Sequence, residues 1–156
     1  MSRTDLPKIK WYYDACVLDE LWFSDIMNEG TNRHCPKMIV LSHLALGEAF
    51  GNIYNKKKPE ALLAFTDFIN SLKKAAHVSV VGNDDDNYPS LFDQIRGDVS
   101  ELSITDAIHV ATAIKEECCN IISNDRDING LSDFKLKKIK DRAAKLGVLN
   151  FCITKH

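Results

Sequence analysis

Short β-prone runs alternate with stretches of helical period along the whole chain, and this alternation limits the folds open to it. The run "IKWYYDACVL" (9–18) reads as a strand running into Asp14, and "PKMIVL" (36–41) as a second strand. Ser42 is placed to cap a helix reaching about Tyr54. Pro59 opens the next helix, "EALLAFTDFINSLKKA", with Leu62, Phe65, Ile69 and Leu72 on one face. "HVSVVG" (77–82) is a strand, and a short helix near 89–97 follows the loop "NDDDNYPS". The segment "SITDAIHVATAIKEEC" (103–118) is the clearest helix, with Ile104, Ala107, Ile108, Ala111 and Ile114 at helical spacing. "NIIS" (120–123) is a strand, "FKLKKIKDRAAKLG" (134–147) a helix and "VLNFCIT" (148–154) a closing strand. Strands separated by helices favour a mainly parallel sheet covered on both faces. The expected class is α/β, a three-layer α/β/α sandwich with its chemistry at the carboxyl ends of the strands.

The length of 156 residues suits one domain over 1–156 with a core of useful size. A hydrophobic share of 45% with 27% charged residues excludes a disordered chain. The net charge of −2 argues only mildly against a nucleic-acid partner, because acids gathered in a site mask basic patches elsewhere. The polar N-terminus MSRTDLPKIK has no export-signal character, and the longest apolar run is broken by His43 and Glu48, so a cytoplasmic protein without membrane spans is expected. Cysteines 16, 35, 118, 119 and 152 form no C-x-x-C pair and read as free thiols, not a zinc site.

Several acids stand in unusual places. Asp14 lies inside an apolar run at the end of the first strand, where a carboxylate needs a partner or takes up a proton. It also suits a cap for a helix starting at Ala15 or Cys16. Glu48 sits mid-helix beside apolar neighbours, at the margin between a buried face and an exposed one. Asp106 closes an S-x-x-D capping pattern with Ser103 and borders the apolar stripe near Val110 and Ala113. Asp125 and Asp127 follow NIIS, where each also suits a turn. In a parallel α/β sheet all these positions fall at one edge. Carboxylates gathered there repel one another unless a cation separates them, and oxygen-only ligands select Mg2+ or Mn2+.

The segments "YYDACVL", "LSHLALGEAF" and above all "LSITDAIHVATAIKEECCNIISNDRDI" resemble the PIN domain, including the VapC-type toxin ribonucleases, over roughly residues 10 to 153. The resemblance implies that Asp14, Glu48, Asp106 and Asp125 occupy the four acidic positions of a metal site. It implies further that Asp127 is an additional acid and Ser123 the hydroxyl before the final acid. Many members carry Asn or Ser where this chain has Cys16, which bears on tuning of the site more than on its ligands. A metal-dependent endoribonuclease leaving a 5′-phosphate and a 3′-hydroxyl is implied, with an antitoxin and a homodimer as partners.

His109 falls with Thr105, Thr112 and Glu116 on what reads as the polar side of its helix, which suits a structural role. The "DDD" at 84–86 reads as a solvated loop. Positive charge for RNA is available from Lys56, Lys57 and Lys58, from Lys73 and Lys74, and from Lys135, Lys137, Lys138, Lys140, Arg142 and Lys145. The last group equally suits the wet face of a helix whose stripe is Leu136, Ile139, Ala143 and Leu146. Arg126, between two site acids, is the basic residue best placed for a phosphate. The rival readings are a catalytically silent PIN-like RNA- or protein-binding module and a haloacid-dehalogenase-type phosphatase. The second lacks its D-x-D spacing, because Cys16 stands two positions after Asp14.

Overall fold

The computed structural model describes residues 9–18, 37–55, 59–75, 77–83 and 86–155, with the side chains of Pro59 and Leu72 outside the description. Five strands form one sheet: β1 (Lys10–Tyr13), β2 (Met38–Ser42), β3 (Val78–Val81), β4 (Asn120–Ile122) and β5 (Cys152–Thr154). Their order is β3-β2-β1-β4-β5, and every pairing is parallel. The helices are α1 (Ala15–Leu18), α2 (His43–Asn55), α3 (Pro59–Lys74), α4 (Tyr88–Asp98), α5 (Ile104–Lys115), α6 (Arg126–Asn129) and α7 (Asp133–Lys145).

Alternation along the strands sorts the core into two layers, because neighbouring side chains point to opposite faces. Tyr12, Val40 and Ile121 pack with Leu91 and Ile95 of α4, Val110 and Ile114 of α5, and Ile139 of α7. Tyr13, Ile39, Leu41 and Ile122 face the other way, against Val17, Leu18, Ala45, Leu46, Ala49 and Phe65 from α1, α2 and α3. The expected three-layer sandwich is therefore the observed one. Burying each large aliphatic side chain contributes about 1.5–3 kcal/mol.

Several local expectations need correction. The closing strand is only Cys152–Thr154. Its expected first half holds a turn in which Asn150 (φ 57) adopts left-handed backbone, which a strand cannot use, and Gly147 (φ 84), expected as the last helical residue, does the same just before it. In α5, Ile104 is 62% exposed and belongs to no buried stripe, whereas His109 and Thr112, on the expected polar side, are buried. Of the α3 face, Phe65 is buried while Leu62 and Ile69 are half-buried. Leu146, expected on the α7 stripe, is exposed, leaving Ile139 and Ala143 as its buried residues. Asp84 and Asp85, Lys56 to Lys58 and Cys35 lie outside the described residues. Cys16, Cys118, Cys119 and Cys152 are free thiols, as expected. Among the described residues no helix is long and apolar enough to cross a membrane.

Candidate metal centre at the sheet edge

The chain turns outward from β1 in both directions, to β2 and β3 on one side and to β4 and β5 on the other. The carboxyl ends of β1 and β4 thus flank the switch point at which parallel α/β sheets bind ligands. Asp14 leaves the end of β1 and Ser123 the end of β4, side by side because Tyr13 pairs with Ile122.

Asp14 is buried and both of its oxygens are used. Oδ1 accepts the Ala15 amide at 2.7 Å, and Oδ2 accepts the Ser123 hydroxyl at 2.8 Å. Ser123 Oγ in turn accepts the Asp125 amide at 3.0 Å, so one buried hydroxyl fixes the spacing of the β1 and β4 acids. The Cys16 thiol lies 3.6 Å from Asp14 Oδ2 and accepts the Asn124 amide at 3.3 Å. Burial pushes that thiol's pKa up, which keeps it protonated as a donor to Asp14.

Residues 126–129 form the single helical turn α6, and Asp125 caps it by accepting the Asp127 amide at 2.8 Å. Asn129 holds the loop from behind, donating to the carbonyls of Ser123 and Asp125. Across the edge, Ser103 caps α5 by accepting the Asp106 amide at 3.0 Å. The Ser103 half of the capping pattern is therefore formed, through the Asp106 amide, while the Asp106 carboxylate lies with those of Asp125 and Asp127. Oxygens of Asp106, Asp125 and Asp127 lie within 4.8 Å of one another. Two oxygens on opposite sides of one hard ion, each about 2.1–2.5 Å from it, are about 4–5 Å apart, so this donor set fits a divalent cation. Burial is the main reason the Asp106 carboxyl is pushed up to about 6, and the charges of Asp125 and Asp14 add to it against the opposing Ser103 and His109.

Asp14 and Glu48 meet through a different group. His109 Nε2 lies 2.6 Å from Glu48 Oε1 and 3.3 Å from Asp14 Oδ1. The expectation of acids with no counter-group among them is corrected here: an imidazole sits between two of them. Burial lowers the His109 pKa, but the Glu48 hydrogen bond and the charges of Asp14, Glu48 and Asp106 outweigh it and raise the pKa. On its other side Nδ1 is 2.5 Å from the Tyr12 hydroxyl, which is 2.8 Å from Ser42 Oγ. Tyr12 had no signal beyond β-propensity, and Ser42 was legible only as a cap, which it also is. Arg126 is exposed at the rim.

Three of the six basic residues of α7 pair with acids of the protein. Arg142 pairs with both oxygens of Asp98, Lys135 with Glu101 and Lys137 with Asp141.

No family model matches this sequence, and no curated protein matches it. Solved structures do. VapBC2 from Rickettsia felis, crystallised with a DNA fragment from their promoter, superposes with a TM-score of 0.61 at 12% identity, covering 95% of this chain and 99% of that one. PAE2754 from Pyrobaculum aerophilum gives 0.54 at 14% identity, over 89% and 96% of the two chains. The fold is of the PIN/VapC type. Mycobacterium tuberculosis VapC20, described as a Sarcin-Ricin loop cleaving toxin, shares this fold at a TM-score of 0.51 and 19% identity, over 79% of this chain and 97% of its own.

Proposed function

We propose that the protein is a metal-dependent endoribonuclease using Mg2+ or Mn2+. One observation carries the reading: three carboxylates from two separate segments converge within 4.8 Å at the switch point of a PIN/VapC-type sheet, with no nitrogen or sulfur donor in the set. A hard divalent ion bound there would supply an activated water and a clamp on the scissile phosphate.

The chain's own residues divide the remaining work. Asp14, Glu48, Asp106 and Asp125 would hold the ion, with Asp127 as a further ligand, and Asp106 or Asp125 would orient the attacking water. Of Asp14 and Glu48, Glu48, whose side chain is 36% exposed, is the more open to an entering strand. Ser123 sets the spacing of Asp14 and Asp125, and Arg126 meets a phosphate at the rim. Water attacking phosphorus in line with the 3′-oxygen, which would leave and take up a proton, would give a 5′-phosphate and a 3′-hydroxyl, the outcome the resemblance implies. The whole chain acts as one domain, as a homodimer in the cytoplasm, with an antitoxin as the partner that closes the acidic edge. The toxin role draws support from the VapBC2 and VapC20 likeness in fold.

The test is cleavage of structured and single-stranded RNAs with Mn2+, alongside Asp14→Asn and Asp106→Asn proteins. Mn2+-dependent cutting by the wild type, lost in both variants with the fold retained, is the expected result. A wild-type protein that binds RNA without cutting it or taking up Mn2+ would make the chain a silent binding module. A fully active Asp106→Asn protein would remove that residue from the site.

A further inference from the structure

His109 is 1% exposed, yet its ring contacts three polar side chains, Tyr12 of β1, Asp14 just beyond it and Glu48 of α2, and reaches Ser42 of β2 through Tyr12. We propose that His109 is a positioning residue. Its Nε2–H holds the Glu48 and Asp14 carboxylates together, and a buried Ser42–Tyr12 hydroxyl chain fixes which ring nitrogen faces them.

Counting protons gives the direction of the chain. An ionised carboxylate only accepts, so the nitrogen 2.6 Å from Glu48 and 3.3 Å from Asp14 must carry a hydrogen. Ser42 Oγ already accepts the Ala45 amide at 2.9 Å. In the neutral ring Nδ1 accepts the Tyr12 proton and the Tyr12 oxygen accepts that of Ser42; in the imidazolium Nδ1 donates and both bonds reverse, with Nε2 carrying a hydrogen in either state. Flipping the ring would set carbon atoms against Tyr12 and Glu48 and lose both hydrogen bonds of the buried imidazole.

The amide that starts the chain belongs to the first turn of α2, one turn before Glu48 in the same helix. The relay thus ties the orientation of Glu48 to the junction of β2 and α2. A long carboxylate near the surface otherwise samples many rotamers. The imidazole selects one and brings it beside Asp14 before any cation arrives. Outer partners of this kind orient the groups that hold a metal.

The hydrogen-bond pattern stands on geometry alone, while its effect on ion binding rests on the nuclease reading. Two measurements separate them. Nitrogen-15 spectra of the His109 imidazole in the metal-free protein should show Nε2 protonated at every pH at which the protein is folded; an Nε2 without a proton would overturn the proposal. Mn2+ titration should then show His109→Leu binding about tenfold or more weaker than wild type. His109→Gln, whose amide nitrogen reaches the place of Nε2, should stay within about threefold of wild type, with circular dichroism melts reporting the fold of each variant. Equal affinity of the Leu variant and wild type, or equal loss in the Leu and Gln variants, would overturn the positioning role. Wild-type protein that takes up no Mn2+ would refute the nuclease reading, and the nitrogen spectra would still decide the hydrogen bond.

Discussion

Asp106 does two jobs with different atoms. Its amide is held by the Ser103 hydroxyl, which starts α5, while its carboxylate shares a small volume with Asp125 and Asp127. The second arrangement opposes folding in the absence of a cation. Because burial pushes the folded carboxyl up to about 6, well above the ordinary Asp value of 3.8, its contribution to stability is complete below pH 3.8 and is lost as pH rises through about 6. Thermal melts of metal-free protein should therefore show this contribution shrinking between pH 4 and 7, and Mn2+ should raise the melting temperature more at pH 7 than at pH 5. Asp106→Asn removes the charge but keeps the shape. The metal-free variant should melt above wild type at pH 7 and lose that advantage near pH 4, while cleavage falls at least about a hundredfold. Ser123 is the other residue of this kind, since its one hydroxyl serves both Asp14 and Asp125. Ser123→Ala should cost about 1–3 kcal/mol in urea unfolding, because a buried carboxylate oxygen loses its donor.

At the scale of elements, short polar residues start and stop what the apolar pattern only outlines. Ser42, Ser103, Asp125 and Ser132 each accept an amide of the helix they precede. Replacing Ser103 with Ala should destabilise the protein by about 1 kcal/mol in denaturant titration and loosen the backbone that carries Asp106. At the other end of the chain, α7 stops at a turn whose Gly147 has φ of 84°. No neighbouring atom would meet an added methyl group there, so Gly147→Ala isolates backbone strain from crowding. A loss of about 1–2 kcal/mol in the same titration is expected. The α7 lysines illustrate the opposite lesson. Their spacing suits a nucleic-acid stripe and a solvated face equally, and the pairs to Glu101, Asp141 and Asp98 give the charges structural work.

For the whole molecule the decisive feature is the order β3-β2-β1-β4-β5, which brings the ends of β1 and β4 together although more than a hundred residues separate Asp14 from Ser123. On the proposed nuclease function, an acidic edge with Arg126 at its rim and an α7 with half of its basic residues paired predict few phosphate contacts to RNA. The slope of log affinity against log salt should be shallow, and Arg126→Ala should reduce it by about 1 while Lys137→Ala leaves it unchanged. Equal effects of the two substitutions in a binding titration would move the interface to α7.

What the sequence determined alone is whatever rests on near neighbours. The alternation of β-prone and helical runs, the caps at Ser42 and Ser103, and acids at strand ends are local properties, since capping and pleating act over one to four residues. That is why the α/β class and the positions of Asp14, Asp106 and Asp125 were legible. The closing strand was not, because Gly147 and Asn150 spend their backbone freedom on a turn that apolar content cannot reveal. Nor was the burial of His109, a polar residue on a face read as wet until Tyr12, 97 positions away, supplies its partner. Pairing across such distances depends on how strands are ordered and helices packed, and only the tertiary structure fixes which buried donor meets which acceptor.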